Sequence, residues 1–190
     1  MSGLSLWLSP PPTSALRPLI KRLAKDNSSE SFLPHATLVS DEIVPKLPVE
    51  ELVKKVEAGL NEWKKTYGGT ELELRFKDVR QGNRYYQCVL TALFEDEPLL
   101  SLHHSIVRQF DLTSPPNPYF PHLSLVYADL TLEVKASIIK GLEEDKTVVY
   151  EEGEEGAEVA GEKGFRPEEI LLLKTAGPCE TWEVLARIPL

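Results

Sequence analysis

Two short apolar runs each carry a histidine followed, two positions on, by a hydroxyl. The first is Leu33-Pro34-His35-Ala36-Thr37-Leu38-Val39-Ser40; the second is Phe120-Pro121-His122-Leu123-Ser124-Leu125-Val126-Tyr127. In an extended strand, residues i and i+2 share a face. His35 therefore points with Thr37, and His122 with Ser124, while Ala36, Leu38, Leu123 and Leu125 take the opposite, apolar face. Two imidazoles and two hydroxyls converging on one point suit an anionic, tetrahedral group. Each hydroxyl donates one hydrogen bond to a phosphoryl oxygen without adding charge. Imidazole titrates near working pH, so one ring can be neutral while the other is protonated. Such a pair takes a proton from water on one side of phosphorus and returns one to the leaving oxygen on the other. Neither motif contains an acid or a cysteine, so a metal site is not expected and no cofactor is required.

The elements that must position these strands follow from periodicity. Leu4, Leu6 and Leu8 alternate with Ser5 and Trp7, as in a strand, and prolines 10 to 12 end it. Leu16, Leu19, Ile20 and Leu23 have helical spacing, with Pro18 in the first turn. Val49, Leu52, Val53, Val56, Leu60 and Trp63 trace a longer helix stopped at Gly68-Gly69. Leu72, Leu74 and Phe76, then Tyr86, Cys88, Leu90, Ala92 and Phe94, predict a hairpin of two long strands about Gln81-Gly82-Asn83. A third helix is expected from about Pro98 to Phe110. The loop Ser114-Pro115-Pro116-Asn117-Pro118 leads into the second motif. A fourth helix uses Leu132, Ala136, Ile139 and Leu142, and two strands close the chain, Ile170 to Lys174 and Thr181 to Ile188. This order predicts an α+β fold: two antiparallel sheets face one another across a central cleft, one motif strand in each, with helices packed outside.

Composition narrows the partners. The 190 residues suit a single bilobal domain over 1–190, able to bury a core without disulfides. Nine acids and two lysines between Glu143 and Lys163 carry −7 of the net −9. Acidity thus belongs to one segment, and residues from about 150 to 164 show no apolar period, as in a solvated loop. No broad basic footprint for long nucleic acid exists, whereas a small phosphorylated ligand fits. No apolar run is long enough for membrane insertion. With only Cys88 and Cys179, an intracellular, soluble, cytoplasmic monomer is the expectation, and one bridge between the two cysteines stays open.

Two copies of His-x-Thr/Ser, each in a hydrophobic strand, resemble the 2H phosphoesterase superfamily. The fungal and plant cyclic nucleotide phosphodiesterases match more closely. They share an early tryptophan strand like Ser5-Leu6-Trp7-Leu8, a strand like Tyr85-Tyr86-Gln87-Cys88-Val89, and a second motif that runs on to a tyrosine, as at Tyr127. The resemblance implies a bilobal fold and metal-independent hydrolysis of 2′,3′-cyclic nucleotides to 2′-phosphates. It also implies action on ADP-ribose 1″,2″-cyclic phosphate, a by-product of tRNA splicing, and Golgi association as in fungal members. By resemblance the catalytic residues are His35, Thr37, His122 and Ser124; either histidine could be the water activator, and the expectation taken here is His122. Tyr127 would bind substrate, although strict alternation sets it on the face opposite His122. Trp7 either packs against a neighbour or stacks a nucleobase. Arg75, Arg80 and Arg84 are either phosphate contacts or plain soluble surface. His103, on the apolar face of its helix, reads as a core histidine. The alternatives in function are a related enzyme of RNA ends, ligase or exonuclease, and a non-catalytic module binding nucleotide or RNA termini.

Overall fold

Alternation and helical spacing resolve into four helices and ten strands in a computed structural model that describes residues 2–68, 71–111, 118–153 and 155–190. In chain order these are β1 (Leu4–Leu8), α1 (Leu16–Asp26), β2 (Ala36–Val39), α2 (Val49–Tyr67), β3 (Leu74–Gln81), β4 (Val89–Leu93) and α3 (Glu97–Arg108). There follow β5 (His122–Val126), α4 (Leu132–Glu144), β6 (Val148–Val149), β7 (Glu158–Val159), β8 (Gly164–Phe165), β9 (Glu169–Lys174) and β10 (Glu183–Pro189). Gly68 closes α2; its expected companion Gly69, the loop residues Ser114 to Asn117, and Glu154 of the acidic segment lie outside the described residues.

Eight strands form one antiparallel sheet in the order β10-β9-β1-β2-β5-β4-β3-β8. The two sheets expected from the sequence are its two halves, one on either side of a seam where β2 meets β5. That seam has a single registered pair, Ala36 with Leu123. One pair is enough to join the halves into a curled sheet, so the motif strands are neighbours and not opposite walls.

The faces of this sheet are sorted as the period of two demands. Leu6, Leu8, Ala36, Leu38, Leu123, Leu125, Ile170 and Leu172 belong to one buried cluster shared with the helices. Trp7, Leu171 and Leu173 form a smaller cluster of their own. Behind the first face, α1 packs on β5, α3 on β2, and α4 on β3, while α2 lies along α3. Gly59 lets the two backbones approach, since an added Cβ there would sit 2.8 Å from the Ile106 Cα. Glu50 and Glu51 in the first turn of α2, and Lys64 and Lys65 in its last, match the charge of the helix ends.

Two expectations need correction. The second hairpin strand is shorter than its alternation suggests: Tyr85–Gln87 is a 3-10 turn, and β4 begins at Val89. Gly82 explains the tight turn, since a Cβ there would meet the Gln87 carbonyl oxygen at 1.8 Å. The acidic segment is a solvated loop only in part. Glu151, Glu152, Gly153 and Glu155 are exposed, but β7 pairs with β6 just before the segment, β8 at its end pairs with β3, and Ala157 and Val159 are buried. Its carboxylates do structural work. The N-cap residue of α1 is Ala15, which has no side-chain cap, and Glu162 supplies one from across the chain: its oxygens accept from the Ser14 hydroxyl at 2.8 Å and the Ala15 amide at 2.6 Å. Arg22 donates to Asp145 and Thr147, both at 3.0 Å.

Candidate active site

The seam sets the chemistry. Extending the Ala36–Leu123 register by one residue each way places His35 across from Ser124 and Thr37 across from His122. All four side chains fall on the face opposite the helix-backed core, and all four line one cavity of about 600 Å³. That volume lies within the range of ordinary small-molecule sites. The motifs thus meet as a near-twofold pair, each histidine beside the other motif's hydroxyl.

Each motif holds its histidine in the same way. His35 Nδ1 lies 2.6 Å from the Leu33 carbonyl and His122 Nδ1 lies 2.8 Å from the Phe120 carbonyl. A carbonyl only accepts, so Nδ1 carries the proton in both rings and donates it. Nε2 is left to the cavity. The proline between carbonyl and histidine explains the repeat, because it restricts the preceding residue to extended backbone and so fixes where that carbonyl lies.

The two rings differ in their surroundings. His35 is only 5% exposed. Burial lowers its pKa to about 3, against the bond to Leu33 that favours the charged ring, and the nearby His122 lowers it further. Burial also lowers the pKa of His122, partly offset by Phe120. His35 is therefore neutral throughout the physiological range.

Of the two readings of Trp7, packing against a neighbour is the one the structure bears out. The indole is 2% exposed and lies flat on the His35 imidazole, with centroids 3.4 Å apart and planes 3° apart. The register explains the contact: Trp7 pairs with Thr37, diagonally beside His35. Its Nε1 donates to the Ser5 hydroxyl at 2.9 Å, so the ring is fixed at both ends. It lines the cavity as the support of His35, with no free face for a base.

Tyr127 reaches the cavity in spite of strand parity, because β5 ends at Val126 and frees the next residue from alternation. Its hydroxyl lies 3.4 Å from His35 Nε2, and its ring stacks on Phe32 at 3.6 Å. Burial raises its pKa well above that of an ordinary phenol, so it remains a donor. Ser124 donates to the Tyr86 carbonyl at 2.7 Å, which its hydroxyl must leave to face a ligand. His103 is a core histidine as expected, with Nδ1 2.7 Å from the Leu38 carbonyl and its ring stacked on Tyr119.

Sequence reasoning missed Tyr86, Phe120, Tyr119 and Trp182, all of which line the cavity. Tyr86 is 51% exposed, and Phe120 is also exposed, with its ring stacked on His122 at 5.2 Å. Phe120 could have been found from its place beside the second motif, but Trp182 is brought in only by the pairing of β9 with β10. Cys88 and Cys179 are buried free thiols. Among the described residues no group of three or more His, Cys, Asp or Glu is placed to hold a metal ion, and no helix is long and apolar enough to cross a membrane.

A curled antiparallel sheet with helices behind it is the fold of the 2H phosphoesterase class. The fold of Escherichia coli LigT is similar: its apo crystal structure aligns with a TM-score of 0.53 at 14% identity, covering 98% of this chain and 95% of that one. LigT complexed with phosphate aligns with a TM-score of 0.52 at 13% identity, over the same shares of both chains. In sequence, the chain is 27% identical over 187 residues to "Cyclic phosphodiesterase" of Arabidopsis thaliana, covering 96% of this chain and 92% of the relative. A model of the family described as "Cyclic phosphodiesterase-like protein" matches residues 1–190. The chain belongs to that family, within the 2H phosphoesterase superfamily.

Proposed function

We propose that the protein hydrolyses 2′,3′-cyclic nucleotides to nucleoside 2′-phosphates without a metal ion, with His35 as general base and His122 as general acid. The single observation that carries this reading is the crossed arrangement at the seam, with both Nε2 atoms facing one cavity. In the proposed cycle, His35 Nε2 removes a proton from water as the water oxygen attacks phosphorus. The P–O3′ bond breaks on the opposite side, and His122 gives the departing oxygen its proton. Thr37 and Ser124 donate to the non-bridging oxygens as charge develops. Tyr127 holds His35 Nε2 until water displaces it.

The expectation from sequence is His122 as water activator; the electrostatics favour the reverse. A ring whose pKa lies near 3 rests neutral and free to accept a proton; the same burial makes it a weak base, and the bound phosphate anion raises its proton affinity in the complex. His122, less perturbed and beside the incoming phosphate anion, keeps the larger protonated share. Family membership supports extending the substrates to ADP-ribose 1″,2″-cyclic phosphate and thereby to the by-products of tRNA splicing. With Trp7 covered by His35, the exposed ring of Tyr86 at the cavity takes the base-stacking part.

The test is incubation with a 2′,3′-cyclic nucleotide in EDTA, with the products read by phosphorus NMR. The expected product is the 2′-phosphate, and His35→Ala or His122→Ala should each lower turnover by roughly two to four decades. No turnover, or a 3′-phosphate product, refutes the proposal.

A further inference from the structure

Three arginines stand on or beside the β3–β4 hairpin, and the fold uses them unequally. Arg75 is forked onto Asp96 at 2.9 and 3.1 Å, and Arg80 is forked onto Asp78. Arg84 has no ion pair among the described residues and lines the catalytic cavity, where it is the one lysine or arginine among the described residues. From this we infer that Arg84 is a second anion contact at the cavity mouth, selecting substrates that carry a phosphate beyond the cyclic one, such as a 5′-phosphate or pyrophosphate. The inference rests on the hydrolytic reading of the same cavity and names the part of the substrate that this residue takes.

The turn bearing Arg84 is held as a recognition element is expected to be. The Gly82 amide donates to the Cys88 carbonyl at 3.1 Å, and the Gln87 amide to the Arg84 carbonyl at 2.9 Å. Lys135, buried in α4, donates to the Gly82 carbonyl at 2.8 Å. The Ala128 amide donates to the Tyr85 carbonyl at 3.1 Å. The backbone is thus fixed on several sides while the guanidinium stays uncommitted. Ordering cost is low and the charge is spent on nothing else, which is where binding energy for a ligand is available. A guanidinium matches a phosphate in a fork of two hydrogen bonds. The cyclic phosphate has its own donors at the seam, in a buried setting. Arg84 is exposed, at the N-cap of the Tyr85–Gln87 turn, and so suits a group that extends outward from the nucleoside.

The test uses binding, so that it does not depend on turnover. Affinities for adenosine 2′-phosphate and adenosine 2′,5′-bisphosphate are measured by calorimetry for the wild-type chain, Arg84→Ala and Arg84→Lys, with 2′,3′-cyclic AMP turnover in EDTA assayed separately. The wild-type chain should prefer the bisphosphate by about five- to tenfold, a preference between that of an exposed ion pair and that of a charge-assisted fork. Arg84→Ala should abolish the preference and Arg84→Lys should keep part of it. A wild-type chain with no preference, or an Arg84→Ala chain that retains it, overturns the inference. So does an equal loss for both ligands, which would assign Arg84 to the seam phosphate. A preserved preference without turnover would instead refute the hydrolytic reading and leave Arg84 as an anion contact.

Discussion

Replacing His35 by glutamine should make the folded state less sensitive to acid. The unfolded chain takes up a proton at His35 near pH 6.5, whereas the folded chain refuses it until about pH 3. Between those values the unfolded state binds more protons, so stability falls as pH falls. Above pH 6.5 both states are neutral at this site and it contributes no slope. From pH 7.0 to 5.5, this one group should cost about 1 kcal/mol, and by pH 4 about 3 kcal/mol. Glutamine removes the titration and keeps a side-chain N–H for the Leu33 carbonyl. The assay is urea unfolding followed by fluorescence at pH 7.0 and 5.5, both above the sequence pI of about 5.0. The wild-type chain should lose more stability than His35→Gln over this interval, by the amount worked out for this group. Contributions from His103, His122 and the carboxylates are common to both proteins and largely cancel. Equal losses would show that His35 titrates normally, and with it the case for a neutral base would fail.

Three further outcomes follow from the packing. Trp7→Ala should remove the wall behind His35 and cost about 3–5 kcal/mol, lowering turnover as well, while Trp7→Phe should restore most of both; an unaffected Trp7→Ala enzyme would contradict the support role. Replacing residues 150 to 164 by a Gly/Ser linker should lower the unfolding free energy by several kcal/mol and the urea midpoint with it, since each buried side chain such as Val159 is worth about 1.5–3 kcal/mol. Glu162→Gln alone should cost about 1 kcal/mol, and midpoints matching the wild type would return this segment to a solvated loop. The kcat/KM profile should have its acid limb near pH 3, where His35 protonates, and its alkaline limb below 6.5, where His122 loses its proton. The alkaline limb of kcat should lie higher, because bound phosphate stabilises the imidazolium; coincident limbs would deny that contact.

The fold was legible wherever one face of an element was apolar over several turns or pleats, as in α2 and in both motif strands. The grouping of the candidate catalytic residues was legible for a related reason: in an extended segment, parity alone tells which side chains travel together. Tyr127 escaped that rule because parity holds only while the strand lasts, and β5 stops one residue short of it. The acidic segment escaped because its strands are two residues long, too short to show a period, and their burial depends on partners far along the chain. Trp7 was placed on the correct face, but its neighbour on that face was not deducible without the β1–β2 register. The asymmetry of the two histidines was likewise invisible, since nearly identical motifs give no sign of how deeply each ring is buried.

The assignment of base and acid is tested most directly by changing the leaving group. In a 2′,3′-cyclic nucleotide with sulfur in place of O3′, the departing thiolate is far less basic than an alkoxide and needs no proton. Single-turnover rates are compared for the wild-type chain, His35→Ala and His122→Ala on the oxygen and sulfur substrates. The prediction is that His122→Ala, impaired by roughly two to four decades on oxygen, recovers to within about tenfold of wild type on sulfur, while His35→Ala stays impaired on both. Recovery of His35→Ala instead would reverse the two roles, and recovery of neither would contradict acid–base catalysis by this pair.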